Sequence, residues 1–324
     1  MTAAHASTDA VPVLTRIVRL TGRAGILIPF VIAFVAVSVT SPSFLRFQNL
    51  TNILDQQAGI LIVACAATFV LIAGGIDLSV GAIYGMAGAI STLVAGSNGP
   101  LAAILVGLGL GLAVGLANGI LVTRFRVNAL ICTLAMTFVV SGIGAIVTNG
   151  NLVVAFDHPE FKDFASTRIL GITSAAWMMM TITVAAAIVL GRSTFGRYVY
   201  ATGGNAQAAR LGGVRVNGVR ITTFALSGMA AALAGVIDAS RVLSAQSSGG
   251  QFLTFTVLTG VIVGGTSILG GEGSIRQTAL GVLFVALIAN GFNLLGFDPF
   301  YQQITLGVIL LAAVSVDAWS RRLE

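Results

Sequence analysis

The chain has 324 residues, of which 56% are apolar and only 9% are Asp, Glu, Lys or Arg, with a net charge of +6 and 40 glycines. An ordinary soluble domain carries roughly 25% charged residues, and so few polar groups could not cover the surface of a water-soluble chain of this length. The composition predicts an integral membrane protein and excludes a soluble enzyme, a secreted disulfide scaffold and a nucleic-acid-binding domain.

Uncharged stretches run over residues 24–45, 56–76, 78–123, 127–156, 169–191, 221–237, 242–271, 277–297 and 299–316. A bilayer-spanning helix needs about 20 apolar residues, with roughly 17–25 as the working range. Eight of the stretches hold one helix each. The stretch over 78–123 holds two, divided at the turn-forming Ala95-Gly-Ser-Asn-Gly-Pro100. The expectation is an all-α membrane protein of ten spans. Lys and Arg are retained on the cytoplasmic side. With ten spans, thirteen of the 17 basic residues share the side of the N-terminus, and only Arg46, Lys162, Arg168 and Arg241 fall on the other. Both termini are therefore expected in the cytoplasm, with residues 1–23 and 319–324 as tails around a single transmembrane domain at 24–318.

The first apolar stretch is longer than the ~7–15 residues of a signal-peptide core, and it ends in Val39-Thr-Ser-Pro-Ser-Phe44 rather than at a small-x-small cleavage site. It reads as a retained span. Cys65 and Cys132 fall inside spans 2 and 5, too isolated for a disulfide framework and best read as small buried residues. Small residues four apart let helix backbones approach in lipid. Gly107, Gly111, Gly115 and Gly119 form such a ladder on span 4, Gly81, Gly85 and Ala89 on span 3, and Ser227, Ala231 and Gly235 on span 7. Packing within the chain is the simpler use of each face, and a subunit interface is the other.

Most chemical motifs are missing. The sequence has no H-E-x-x-H, no G-x-S-x-G and no cluster of Cys or His, and its two histidines, His5 and His158, lie in the N-terminal tail and the largest outer loop. A Walker A motif needs a lysine on the nucleotide phosphates, but the single lysine is Lys162 in that outer loop. Energy from ATP would have to come through another subunit. The spans also lack the several ionisable residues of a proton relay.

Three segments stand out. Gly74-Gly-Ile-Asp-Leu-Ser-Val-Gly81 joins spans 2 and 3, and Asp77 is the only charge between Asp55 and Arg124. The glycines predict a helix break near the inner face, with Asp77 either capping the next helix or acting in passage and gating, Ser79 beside it. The second segment, 192–220, is the longest and most basic inner loop. Asn205 is a good N-cap, Ala206 to Leu211 are helix formers and Gly212-Gly213 is a stop. A basic loop serving topology alone needs no capped helix, so a docking element for a cytoplasmic partner explains more. The third, Gly264-Gly-Thr-Ser-Ile-Leu-Gly-Gly-Glu-Gly-Ser274, carries five glycines. It predicts irregular backbone, tolerated in a membrane only where it is buried or lines a cavity. Asn118, Asn290 and Asn293 are the polar candidates for a transport path, with interhelical hydrogen bonding as their alternative use.

Through these residues the chain resembles the membrane permeases of bacterial ATP-binding-cassette importers of the ribose/xylose/galactoside type, over residues 25–322. The resemblance rests on Gly-Gly-Ile-Asp-Leu-Ser-Val-Gly at 74–81, Gly-x-x-Asn-Gly at 115–119, Arg126-Val with Thr133-Leu, and Gly196-Arg. It also rests on Tyr200-Ala-x-Gly-Gly-Asn-x-x-Ala-Ala-Arg at 200–210 and Gly-Gly-Thr-Ser-x-x-Gly-Gly-x-Gly-Ser at 264–274. Where the family usually has Pro-Phe after Arg-Val, this chain has Asn128-Ala129-Leu130.

The resemblance implies a multi-pass permease of a bacterial inner membrane, paired with an identical or related permease. Two cytoplasmic ATPase subunits would bind the ATP and magnesium, so this chain would need no cofactor of its own. A periplasmic or lipid-tethered sugar-binding protein would deliver a monosaccharide. The resemblance also implies that 192–220 supplies the coupling helix, with Arg197, Tyr200, Asn205, Gln207, Ala208, Arg210 and Leu211 toward the ATPase. Two other readings stay open: an ion-coupled secondary transporter, and an importer permease for branched-chain amino acids.

Overall fold

The computed structural model describes residues 26–320, with side chains to residue 315. The expected tail over 1–23 and residues 321–324 of the expected C-terminal tail lie outside the described residues. Within them the chain is built from helices: α1 Leu27–Thr40, α2 Phe47–Ile72, α3 Val80–Arg124, α4 Ala129–Thr148, α5 Asp163–Ser166, α6 Ser174–Arg192, α7 Thr194–Gly204, α8 Ala206–Leu211, α9 Val216–Val242, α10 Leu253–Val263, α11 Ile275–Leu294 and α12 Pro299–Ser320. The only strands among the described residues are two-residue pieces, β1 Val153–Val154 with β4 Ser244–Ala245 and β2 Arg168–Ile169 with β3 Ile172–Thr173, both antiparallel. Six helices, α2, α3, α4, α6, α9 and α11, are long and apolar enough to cross a membrane, and shorter apolar helical stretches lie in α1, α10 and α12.

The stretch α3 is two helices that meet at a kink. Gly99 has φ 82° and ψ 171° with Pro100 behind it, inside the turn cluster expected to divide this stretch. Only glycine reaches that conformation without steric cost, and proline removes a helix hydrogen bond. Ser91 Oγ donates to the Ala103 carbonyl across the fold, at 2.9 Å, so the two halves form a hairpin. The glycine ladder on the second half packs against α9: a Cβ on Gly111 would sit 2.3 Å from the Gly228 carbonyl oxygen, and one on Gly115 would sit 2.4 Å from that of Phe224. These are contacts within the chain. Helix α2 is buried from Ala58 through Ile72, apart from a half-buried Ile60, and forms the centre of the core. Cys65 and Cys132 are free and buried, as expected.

Two expectations need correction. A full-length span was expected within 242–271, but α10 has only 11 residues, about 16 Å at 1.5 Å per residue. The chain ahead of it, over 246–252, is non-helical and packs its Ser247 and Gly250 carbonyl oxygens onto Gly85 and Gly81 of α3. Gln246-Ser-Ser-Gly-Gly-Gln251 offers glycines and serines, which lower helix propensity. The inner loop, read as holding one short helix, holds two. Helix α7 precedes α8, and Gly196 gives room for a tight α6–α7 corner, where a Cβ would lie 2.1 Å from the Leu190 carbonyl oxygen.

Candidate functional site

The break between α2 and α3 is recessed in the bundle rather than lying at its end. Ser227 Oγ, which touches Asp77, is eleven residues into α9, about 16 Å from that helix's first residue. Asp77 does not cap α3. Ser79 is the N-cap residue and gives no side-chain cap. The Asp77 carboxylate instead accepts three donors: Ser79 N at 3.0 Å and Ser79 Oγ at 2.6 Å on Oδ1, and Ser227 Oγ at 2.7 Å on Oδ2. Asn118 Nδ2 donates to Ser79 Oγ at 2.8 Å. Asp77, Ser79 and Asn118, named separately from the sequence, form one buried cluster, and Asn118 Oδ1 has no hydrogen-bond partner among the described residues.

Hydroxyls satisfy the irregular backbone around this cluster. Thr133 Oγ1 donates to the Ile76 carbonyl at 3.2 Å and accepts from Leu78 N at 3.0 Å. Thr137 Oγ1 donates to the Leu78 carbonyl at 3.1 Å, and Thr254 Oγ1 accepts from Gly81 N at 3.0 Å, serving a donor of the first turn of α3. Unpaired, these buried backbone groups would each cost about 1–3 kcal/mol. The sequence reading missed Thr137 and Thr254 in this role, and Ser227 as a donor to Asp77. A signal existed for the first: Thr133, Thr137 and Ser141 recur every four residues on an otherwise apolar helix and so share one face. Asn128, at the departure from the family pattern, caps α4 by accepting from Leu130 N at 2.9 Å and Ile131 N at 3.4 Å.

In the 192–220 loop, Asn205 caps α8 as expected, its Oδ1 accepting from Gln207 N at 3.0 Å and Ala208 N at 2.9 Å. Gly213, at φ 83°, ends the helix while Val214 N donates to the Ala209 carbonyl. Gln207, Ala208, Arg210 and Leu211 are exposed, Leu211 to 86%. Arg197 reaches only Thr194, and Arg210 only Asn217, among the described residues. Tyr200 is different: it turns inward and donates to the Gly273 carbonyl at 2.8 Å. Burial raises its phenol above the ordinary tyrosine value.

The three segments singled out in the sequence meet. A Cβ on Gly203 would fall 1.6 Å from the Ile72 carbonyl oxygen and 2.6 Å from Gly271 N, and one on Gly270 would fall 3.0 Å from Gly74 Cα. Gly271 N donates to the Ile72 carbonyl at 2.9 Å. Arg220 Nε donates to the Ala73 carbonyl at 3.2 Å. Backbone lies on backbone where the end of α7, the break after α2 and the glycine-rich loop after α10 converge.

The other two asparagines lie apart from this cluster. Asn290 and Asn49 exchange two side-chain hydrogen bonds, at 3.1 and 3.0 Å, between α11 and α2. Asn293 Oδ1 accepts from Gln302 Nε2 at 2.6 Å, linking α11 to α12. Among the described residues, no group of three or more His, Cys, Asp or Glu could hold a metal ion.

Residues 49–314 match a family model described as branched-chain amino acid transport system / permease component. The chain is 38% identical over 261 residues to the ribose import permease protein of Escherichia coli strain K12, covering 79% of this chain and 81% of that one. It is 36% identical over 266 residues to the L-arabinose ABC transporter permease protein of Azospirillum brasilense, covering 82% and 78%. It is 33% identical over 257 residues to the autoinducer 2 import system permease protein of Photorhabdus luminescens, covering 79% and 77%. No solved structure matches. With a family match over residues 49–314 and such relatives covering 79% and 82% of its length, the chain belongs to the permease family of ATP-binding-cassette importers.

Proposed function

We propose that this chain is the membrane permease subunit of an importer that carries a monosaccharide across a bacterial inner membrane. Ribose and arabinose in the names of its relatives support a sugar cargo over the amino acid cargo in the family description. The chain crosses the membrane ten times, with α3 counted as two, α1 and α12 included, and α10 together with the irregular chain over 246–252 making one crossing, and both termini lie in the cytoplasm, as the arginine distribution favours. Residues 24–318 form the permease domain. Two cytoplasmic ATPase subunits bind the ATP and magnesium, and this chain has no ATPase site. A second permease copy, identical or related, completes the pathway, a periplasmic or lipid-tethered binding protein delivers the sugar, and lipid surrounds the assembly. No nucleic acid takes part.

The observation that carries this reading is the junction between the α7–α8 loop and the Asp77 break. Helix α8 enters a groove of the ATPase through Asn205, Gln207, Ala208 and Leu211, with Arg197 and Arg210 as polar contacts. Movement of α8 passes through Tyr200 and the Gly203–Ile72–Gly271 backbone contact to Asp77, Ser79 and Asn118, which form the gate. Interfaces packed this closely shift between discrete arrangements rather than deforming smoothly. Asn290 and Asn293 hold the helices that flank the path. Replacing Asn205–Leu211 by a flexible linker tests the reading: the ATPase subunits no longer copurify with the permease and sugar uptake stops. Retained copurification and uptake would overturn it, and uptake by this chain alone under a sodium or proton gradient would favour an ion-coupled transporter.

A further inference from the structure

Next to the Asp77 break, farther along α3 and α4, lies a cavity of about 180 Å³. One wall is Thr137 and Ser141 of α4, about 12 and 18 Å along a helix some 30 Å long, so the cavity sits at half its height. A second wall is the non-helical chain over 247–251, and the floor is Leu78 and Gly81 at the break. Irregular backbone survives at membrane depth only where protein buries it or where it lines a water-filled cavity, and broken helices at half height are where transporters hold their cargo.

The lining points to the kind of occupant. Thr137 and Thr254 are committed to the Leu78 carbonyl. The side chains of Ser141, Ser248 and Gln251 make no hydrogen bond within the described residues, so two hydroxyls and an amide are available along the half-open wall, Ser248 and Gln251 exposed, with the Phe255 ring beside them. Among the described residues no ionisable side chain lines the cavity, so the ammonium and carboxylate of an amino acid would find no counter-charge there. The lining surface is mostly apolar with a few neutral donors and acceptors, which suits a small ligand that pairs hydroxyls with an apolar C–H surface. The volume is below the roughly 300–1,000 Å³ of sites for drug-sized ligands.

We propose that this cavity is an intramembrane site where a single monosaccharide pauses in transit, hydrogen-bonded by Ser141, Ser248 and Gln251 with its C–H face on Phe255. The proposal rests on the importer reading above. Its test uses the complete transporter, with ATPase subunits and binding protein, in liposomes, measuring uptake of labelled D-ribose, L-arabinose, D-xylose, D-galactose and L-leucine. Ser141→Ala and Gln251→Leu are expected to slow uptake of the preferred sugar about three- to tenfold, the size of one net hydrogen bond, and to change the ratio between sugars, while ATPase copurification stays at the wild-type level.

In a second arm, Ser248→Cys is placed in a chain also carrying Cys65→Ala and Cys132→Ala. Labelling of that thiol by a small polar maleimide is expected to slow at least about threefold, the low end of one net hydrogen bond, when sugar, binding protein and ATP are present together, and not when sugar is left out. Uptake ratios equal to wild type in both variants, or labelling indifferent to sugar, would overturn the site while leaving the importer reading intact. Wild-type uptake of leucine and of none of the sugars would overturn the importer cargo, and the site with it.

Discussion

Ser227 Oγ donates to Asp77 Oδ2 across 2.7 Å and ties the break between α2 and α3 to the middle of α9, 150 residues later in the chain. The same carboxylate holds Ser79 through two further hydrogen bonds, so one side chain sets how three helices meet. Asp77→Ala leaves those donors unpaired in a buried site, at about 1–3 kcal/mol each. Its Tm in detergent is expected to fall by several degrees. Asp77→Asn keeps the shape and one acceptor oxygen and should fall less. An Asp77→Ala protein that melts together with wild type would contradict a structural role for the network.

Gly203 and Gly204 are neighbours with opposite expectations. Gly203→Ala drives its Cβ into the Ile72 carbonyl, while a Cβ on Gly204 meets nothing within 4 Å among the described residues. Overpacking costs roughly 1–3 kcal/mol, and more where the obstacle is backbone. Gly203→Ala is therefore expected to lower Tm and abolish uptake, whereas Gly204→Ala is neutral or gains up to ~1 kcal/mol from helix propensity. Thermal unfolding and liposome uptake, measured on both, check the contrast, and equal behaviour of the two would refute the junction.

Leu211 is 86% exposed on α8. Leu211→Ser should leave the permease's own stability within about ±0.5 kcal/mol and yet weaken ATPase copurification about tenfold, as loss of an apolar interface anchor does. Unchanged copurification would remove Leu211 from the docking surface.

Tyr200→Phe deletes the hydrogen bond to the Gly273 carbonyl and nothing else of size. A stability loss of about 1 kcal/mol is expected, together with lower uptake at unchanged ATPase binding. Because burial raises the Tyr200 phenol, its neutral form is the one the fold favours. This contribution is intact below the ordinary tyrosine value of ~10 and is lost as pH rises beyond it. Unfolding scans above that pH should fall less steeply for Tyr200→Phe than for wild type.

The capped helix at Ala206–Leu211 was legible because its determinants are local: an asparagine that accepts from the second and third amides, six helix-compatible residues and a glycine at positive φ. The turn at Gly99–Pro100 was legible for the same reason. Helix α7 was not, since its glycines look like breakers until Gly196, Gly203 and the chains they touch are seen together. The short α10 was hidden as well, because an unbroken lack of charge over 242–271 cannot distinguish a full span from a half helix preceded by buried, irregular chain.

The amino-acid sequence by itself determined that the protein lives in a membrane, where its helices begin and end at strong local signals, which family it resembles and that it has no lysine for a nucleotide loop. Composition and local backbone preference act through near neighbours. Only the tertiary structure decided that Asp77 binds Ser227 rather than capping α3, that three glycine-rich segments form one junction, and that Ser141, Ser248 and Gln251 share a cavity. Those relations join residues up to some two hundred positions apart, and their energies come from burial and hydrogen-bond satisfaction, which exist only once the helices have packed.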